Sequence, residues 1–392
     1  MKIKKDKEIV LITNYFPPEK GAASNRIYSL VKGLSENNYK VKVICPLPNY
    51  PKGSIFPEFK RKIYSKKEEE YATIFRLWLW PSNSSNKFIR LLSMLSFSLS
   101  LSLFFILKKT PKKVIIQYSP VFVGFTGVFW SSFFRKKIIL NVSDLWPLAG
   151  LEMGLLQKGT YYSLLQKMER FCYKKSHLIL GQSQEILNHI KKEGFKKELF
   201  LYRNIPDFKP PLLQEKPFNN DSIRIVYAGL LGMAQGLYNI CSQINLPNHI
   251  QLHIYGNGPE AEKINMLKKK NIFYHGELER KVLNKKLEDF HLAFIPLNKR
   301  IYGSVPSKIF EQSRIGLPLL YFAGGEGEDI VEKHKLGWTI PVDDLKGLQD
   351  FFNTLSSQTL EEFNKKEVQL NAINGFDFSE QFRLLIRELE KI

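Results

Sequence analysis

The feature that most constrains this chain is an alternation that stops once and starts again. Apolar runs of strand length alternate with glycine-containing loops and helix-periodic segments. The first unit is "EIVLIT", then "YFPPEKGAASNR" (Tyr15 to Arg26), then "RIYSLVKGLSENN", in which Ile27, Leu30, Val31 and Leu34 share one helical face. "KKVIIQYSP", "KKIILNVSDLWP", "HLILGQS" and "LFLYRNIPDF" supply further strands, with a long helix through "YYSLLQKMERFCYKKS". Then comes "KPPLLQEKPFNNDS", residues 209–222, whose prolines and polar residues mark a linker. After it the pattern resumes with "IRIVYAG", "IQLHIYG", "NIFYHGEL", "LAFIPL" and "LPLLYFA", separated by helical runs such as "KIFEQSRIG" and "EDIVEKHKLG". Two β/α halves across a linker imply an α/β protein of two Rossmann-like domains, 1–208 and 223–375, facing across a cleft. A length of 392 residues suits two domains, at roughly 150 residues each. Ligands of such sheets bind beyond the carboxyl ends of the strands, where these glycine loops sit.

Composition narrows the partners. The formal net charge is +20, which calls for an anionic partner or reflects a lysine-rich background. The lysines fall in scattered pairs, such as Lys108-Lys109, Lys112-Lys113 and Lys136-Lys137, and not along one helix that could read nucleic acid, so no nucleic acid is expected. Cys45, Cys172 and Cys241 are far apart, with neither metal-ligand spacing nor a disulfide framework, and read as core residues in a reducing compartment. The basic N-terminus leads directly into the first strand, and a cytoplasmic location is expected. "FIRLLSMLSFSLSLSLFFIL", Phe88 to Leu107, is flanked by Lys87 and Lys108-Lys109 and contains Arg90 and five serines. A spanning helix needs about 20 apolar residues. Three readings stay open for this run: a core helix, an interfacial helix, or a span. Ser93, Ser96, Ser100 and Ser102 could form a weakly polar strip, and the basic flanks suit an anionic membrane surface.

Six segments occur in order at suitable spacings: "YFPPEKGAASNR", "PNYPKG", "DLWP", "GLLGMAQG", "GNGPE" and "SVPSKIFE". Together they resemble the retaining glycosyltransferases of family 4, which have the GT-B fold. The resemblance covers nearly the whole chain and is closest to the bacterial branch that builds capsule, O-antigen and exopolysaccharide units on a lipid carrier. It implies an acceptor-binding N-terminal domain, a nucleotide-sugar-binding C-terminal domain, and a last helix, 376–392, packing back on the first domain.

The resemblance also assigns residues. Gly21, among the small residues Ala22, Ala23 and Ser24, would let the backbone approach the donor diphosphate and the transferred sugar. Gly229, Gly232 and Gly236 would cradle the diphosphate. Many relatives carry an arginine and a lysine in that loop, but Leu230 and Gln235 stand here. The compensating charge is expected from Lys308, with Arg300 in reserve, because a lysine suits a phosphate gaining charge as the glycosidic bond breaks. Gly256 and Gly258 would wrap the nucleotide, and Gly276, Glu277 and Leu278 would meet the base. Glu311 would accept the two ribose hydroxyls; its plain alternative is a solvated helix glutamate. Many relatives have a glutamate eight positions earlier, where this chain has Gly303. The backbone of Gly303, Ser304 and Val305, continuing into Pro306 and Ser307, would replace its sugar contacts, and the departure implies an unusual donor sugar, N-acetylated or deoxy.

Asp144 lies just past a strand end. It could orient or deprotonate the acceptor hydroxyl, or it could cap the next helix. Tyr15, Phe16, Asn49, Tyr50 and Trp146 would line the acceptor. No second carboxylate nucleophile and no D-x-D pair are evident, so no metal and no cofactor are expected. The expected function is transfer of a hexosyl or N-acetylhexosaminyl group, with retention, from a nucleotide-sugar, UDP-linked by expectation, to a polyprenyl-pyrophosphate-linked saccharide at the cytoplasmic face of the membrane. A nucleotide-sugar 2-epimerase of the same fold and a non-catalytic membrane-surface protein are the alternatives.

Overall fold

A computed structural model describes residues 7–19, 21–50, 53–82, 84, 86–213 and 222–392. Most of the expected linker, 214–221, and Pro51-Lys52 of "PNYPKG" lie outside the described residues. The chain divides into two compact units, Met1–Asn204 with Ser379–Ile392, and Ile205–Phe378.

The first unit runs β1 (Lys7–Ile12), α1 (Ala22–Glu36), β2 (Tyr39–Pro46), β3 (Tyr64–Glu68), β4 (Thr73–Leu77), α2 (Lys87–Leu107), β5 (Lys113–Gln117), α3 (Val121–Phe133), β6 (Lys137–Val142), α4 (Leu148–Glu152), α5 (Thr160–Lys175), β7 (Leu178–Gly181), α6 (Gln184–Lys192) and β8 (Glu198–Leu201). The strands form one sheet in the order β3-β4-β2-β1-β5-β6-β7-β8, parallel except for β3 against β4. Ile9 to Ile12 of β1 are buried on both faces, as a central parallel strand requires. The second unit runs β9 (Ile223–Ala228), α7 (Leu237–Gln243), β10 (Ile250–Tyr255), α8 (Ala261–Asn265), β11 (Ile272–Tyr274), α9 (Arg280–Leu287), β12 (Leu292–Pro296), α10 (Lys308–Arg314), β13 (Leu319–Phe322), α11 (Glu326–Lys333), β14 (Gly337–Ile340), α12 (Leu345–Thr354), α13 (Ser357–Glu361) and α14 (Lys365–Gly375). Its six strands are all parallel in the order β11-β10-β9-β12-β13-β14, around a core that includes Ile225, Leu252, Phe294, Leu320 and Phe352. Both units are Rossmann-like.

Helix α15 (Phe378–Lys391) belongs to the first unit from Ser379 onward. Phe382, Leu385 and Leu389 are buried, and the Phe382 ring fills the space beside Gly33 of α1, where a methyl group would lie 2.6 Å from the ring.

No helix among the described residues is long and apolar enough to cross a membrane. Nor is α2 a core helix on all sides. Phe97, Leu101, Phe104 and Phe105 face inward, while Leu92, Leu95, Leu99, Leu103 and Ile106 form an exposed stripe at helical spacing. The serines do not make the outer strip. Ser98 and Ser102 bond to carbonyls one turn back, and Ser96 accepts the backbone N–H of Trp80 while donating to Ser93 O.

Candidate functional site

A doubly wound parallel sheet opens a crevice where its connections change direction. In the second unit this point lies between β9 and β12, because β10 and β11 continue on one side and β13 and β14 on the other. The loops after β9 and β12 meet there. Asn298 donates its backbone N–H to Ala234 O at 2.8 Å, and Gly236 starts α7 in the left-handed region, φ 60°, with no room for a side chain beside Asn298. The loop after β10 packs against the same loop, backbone to backbone. Gly229 N donates to Tyr255 O at 2.9 Å, and Leu231 N donates to Asn257 O at 3.0 Å. A methyl group at Gly256 would fall 1.8 Å from Gly229 O, and one at Gly258 would fall 2.4 Å from Leu231 O. Gly256 N in turn reaches Gly276 O at 2.8 Å. The glycines of these loops therefore gather, and close approach of main chain explains Gly256 and Gly258, while Gly236 yields to the Asn298 side chain.

Lys308, the first residue of α10, folds over Gly229. A methyl group there would lie 2.4 Å from its Cε, so the missing side chain makes the lysine's space. Its Nζ sits 3.8 Å from the centroid of the buried Tyr227 ring, with no ion pair or hydrogen bond among the described residues. Burial pushes its pKa down to about 7, and Glu311 opposes the shift. A cation stacked on a ring and lacking an anion is poised to receive one. Gln235 lies in the same loop, its buried Oε1 unpartnered among the described residues. Glu311 pairs with Arg280 at 2.9 Å, which the sequence did not foretell. Gly303 has φ 83°, where a glutamate would be strained, so glycine follows from the local backbone. Ser304 N bonds to Ile301 O, Val305 is buried, and Pro306 and Ser307 lead into α10 through carbonyls that accept from Ile309, Phe310 and Glu311. Glu277 is exposed and Leu278 half-buried beside Gly276. Arg300 lies elsewhere, against Gly325.

In the first unit the change of direction lies between β1 and β5. Beyond β1, Glu19 is only 3% exposed and accepts backbone N–H groups from Phe16 (3.4 Å), Asn49 (2.8 Å) and Tyr50 (2.9 Å). This one carboxylate ties the "YFPPEKG" loop to the "PNY" loop, and the Tyr15 and Tyr50 rings then meet edge to face at 5.4 Å. Gly21 precedes α1 at φ 141°, facing Tyr50, and no side chain caps the helix. Phe16 is 2% exposed, so its side chain belongs to the core and not to an acceptor-facing surface.

Arg26 crosses beneath the strand ends. It donates to Gln182 Oε1 at 2.8 Å, to Ser143 Oγ and to Asn141 Oδ1, while Gln117 bridges Asn141 and Ser143. Its Nε is unpartnered among the described residues. Asp144 follows β6 in the field of this guanidinium. Burial raises the Asp144 pKa, and Arg26 pulls it back. The cap reading fails, because α4 starts after Pro147 with no side-chain cap. Trp146 is half-buried against Gly150, and its carbonyl accepts from the Tyr118 hydroxyl at 2.8 Å. Glu19, Arg26 and Arg280 escaped the sequence because each has a partner 30 to 156 residues away, Asn49, Gln182 and Glu311 among them. Among the described residues, no three His, Cys, Asp or Glu side chains gather as a metal site would need.

No family model matches the chain, and no curated protein sequence does. Solved structures do. Sucrose-phosphate synthase from Thermosynechococcus elongatus superposes with a TM-score of 0.71 at 12% identity, covering 98% of both chains. HepE from Anabaena, in complex with UDP-glucose, gives 0.67 at 13% identity over 98% of this chain and 100% of its own. The lipopolysaccharide outer core galactosyltransferase WaaB gives 0.58 at 15% identity over 98% and 100%. The fold is GT-B. In this GT-B chain the glycine loops and Lys308 belong to the second Rossmann-like unit, and the Asp144–Arg26 cluster belongs to the first.

Proposed function

We propose that the chain is a retaining glycosyltransferase. It takes a hexosyl or N-acetylhexosaminyl group from a UDP-linked sugar and passes it to a saccharide on a polyprenyl pyrophosphate, in surface-polysaccharide assembly at an anionic membrane face. The observation that carries the reading is Lys308, a cation without an anion, stacked over Tyr227 beside backbone loops too tight for side chains. A diphosphate supplies the missing charge. Lys308 then stabilises the leaving phosphate as the glycosidic bond breaks. Glu311 accepts the ribose hydroxyls, leaving or sharing Arg280. Asp144, biased by Arg26, orients the acceptor hydroxyl. The leaving phosphate takes the proton on the face where the acceptor attacks. HepE with bound UDP-glucose and WaaB as a galactosyltransferase of lipopolysaccharide support the donor class and the pathway. The outward apolar stripe of α2 supports work at a membrane.

The test incubates purified protein with a panel of UDP-sugars and a lipid-pyrophosphate saccharide. UDP release that depends on the acceptor, with an α-linked product from an α-linked donor, is the expected result. A donor that comes back inverted at C2 without any acceptor makes the protein an epimerase. No thermal shift and no turnover with any nucleotide-sugar ends the proposal.

A further inference from the structure

The first unit carries a second concentration of charge at the opposite end of its sheet. A cavity of about 860 Å³ opens at the amino ends of β6, β7 and β8, whereas Asp144 follows the carboxyl end of β6. Three turns line it. Arg135, Lys136 and Lys137 come from the turn between α3 and β6, Lys174 and Lys175 from the end of α5, and Lys196 and Lys197 from the approach to β8. Glu198 is the one acid of the lining. Lys136 is used structurally, its Nζ donating to Thr110 O at 2.6 Å. None of the other six cations has an ion pair among the described residues. His177 sits among them, its Nδ1 accepting the Ile138 N–H at 3.2 Å. Burial, then Lys137 and Lys197, lower its pKa, so it adds no charge near neutrality.

A lysine-rich surface spreads its charges to lower their repulsion. Three separate turns converging on one concavity do the opposite, and a bound polyanion would relieve the repulsion. Its volume lies within the roughly 300–1,000 Å³ of small-molecule sites. We propose that this basin binds a ligand carrying clustered phosphates. Two sources share that chemistry. One is a soluble oligophosphate. The other is the headgroup layer of an anionic lipid, since Phe133 and Phe134 end α3 beside the basin as exposed rings, Phe134 stacked on Phe105 of α2. The site is separate from the proposed donor pocket and does not depend on glycosyl transfer.

The test uses the full chain with UDP at saturating concentration, so that the proposed donor pocket does not contribute. Inorganic tripolyphosphate is titrated by calorimetry. Vesicles of phosphatidylglycerol and phosphatidylcholine are tested by co-sedimentation. The variant Lys137→Gln/Lys174→Gln/Lys197→Gln changes side chains at the rim. The control Lys268→Gln/Lys270→Gln/Lys333→Gln removes the same charge from the second unit, and thermal melting checks that both fold. The expected result is that the basin variant binds at least one probe about tenfold more weakly or worse, while the control stays within about twofold of wild type. Tripolyphosphate binding without vesicle binding identifies a soluble ligand. Vesicle binding that tripolyphosphate displaces identifies the lipid. Equal losses in both variants, no loss in either, or no binding of either probe by the wild type overturns the proposal.

Discussion

At the scale of single residues, Lys308 and Asp144 make different predictions. Lys308 has a pKa near 7 without ligand, and a neighbouring diphosphate would raise it. Donor binding therefore takes up a proton above that pH. UDP-sugar affinity should fall as pH rises from about 7 to 9, by up to about tenfold per unit. Calorimetry in buffers of different ionisation enthalpy should show the uptake at pH 8; a flat affinity from pH 6 to 9 would count against it. Stability carries the opposite sign of a salt-bridged lysine. The folded pKa lies below the ordinary 10.5, so the unfolded chain holds more protons between about 7 and 10.5, and stability rises with pH across that window. Lys308→Met should accordingly melt higher than wild type at pH 6, while losing donor affinity. Asp144→Asn should keep UDP-sugar binding and slow transfer by on the order of 10²–10⁴; transfer at the wild-type rate would reduce Asp144 to a structural residue. The glycine loops could be seen in sequence because loop glycines after strands form a local pattern, whereas Lys308 was singled out only through the family resemblance. Glu19 and Arg26 could not, because a charged residue near a loop looks solvated until Asn49, Asn141 and Gln182 close around it.

At the scale of elements, α2 is divided along its length. Its inner side packs on α3 and β4, and its outer side leaves leucines in water. Such a stripe is what an interfacial helix presents to a bilayer. Leu99→Asp/Leu103→Asp should lower partitioning onto anionic vesicles roughly tenfold, since burying a charge in the acyl boundary opposes insertion. The melting temperature should hardly change, because both side chains are exposed, 62% and 51%. In 1 M salt, where the Debye length is about 3 Å, wild-type binding should weaken without vanishing. Unchanged sedimentation of the double variant would remove α2 from the membrane contact. The strands β1, β5, β6, β9, β12 and β13 are legible as apolar runs because both faces are largely covered, and β10, "IQLHIY", as an alternation with one half-exposed face. The edge strand β3, "YSKKE", is exposed and charged and carries no such signal. β14, "GWTI", is too short to stand out. The sidedness of α2 was hidden because its serines bond to their own helix and thus pass as apolar.

At the scale of the whole molecule, sequence order and structural membership part company. Residues 379–392 follow the entire second unit yet complete the first. Lys7 pairs with Glu390, Lys113 donates to Leu389 O, and Gln381 holds Arg203 through both its amide groups. Phe382→Ala should cost about 3–5 kcal/mol. Hydrogen exchange should show faster opening in α1, whose Gly33 it covers, than in α10 of the other unit. A loss below about 1 kcal/mol by urea unfolding would mean that α15 merely rests on the surface. The same arrangement sets an order of maturation on the ribosome. Domains emerging from synthesis fold as units, the earlier one first. Here the earlier unit waits, with the groove along α1 uncovered, until every residue of the later unit has been made. The half that begins first is finished last, and a chain truncated anywhere in the second unit leaves the first with an open apolar seam for chaperones and proteases to find.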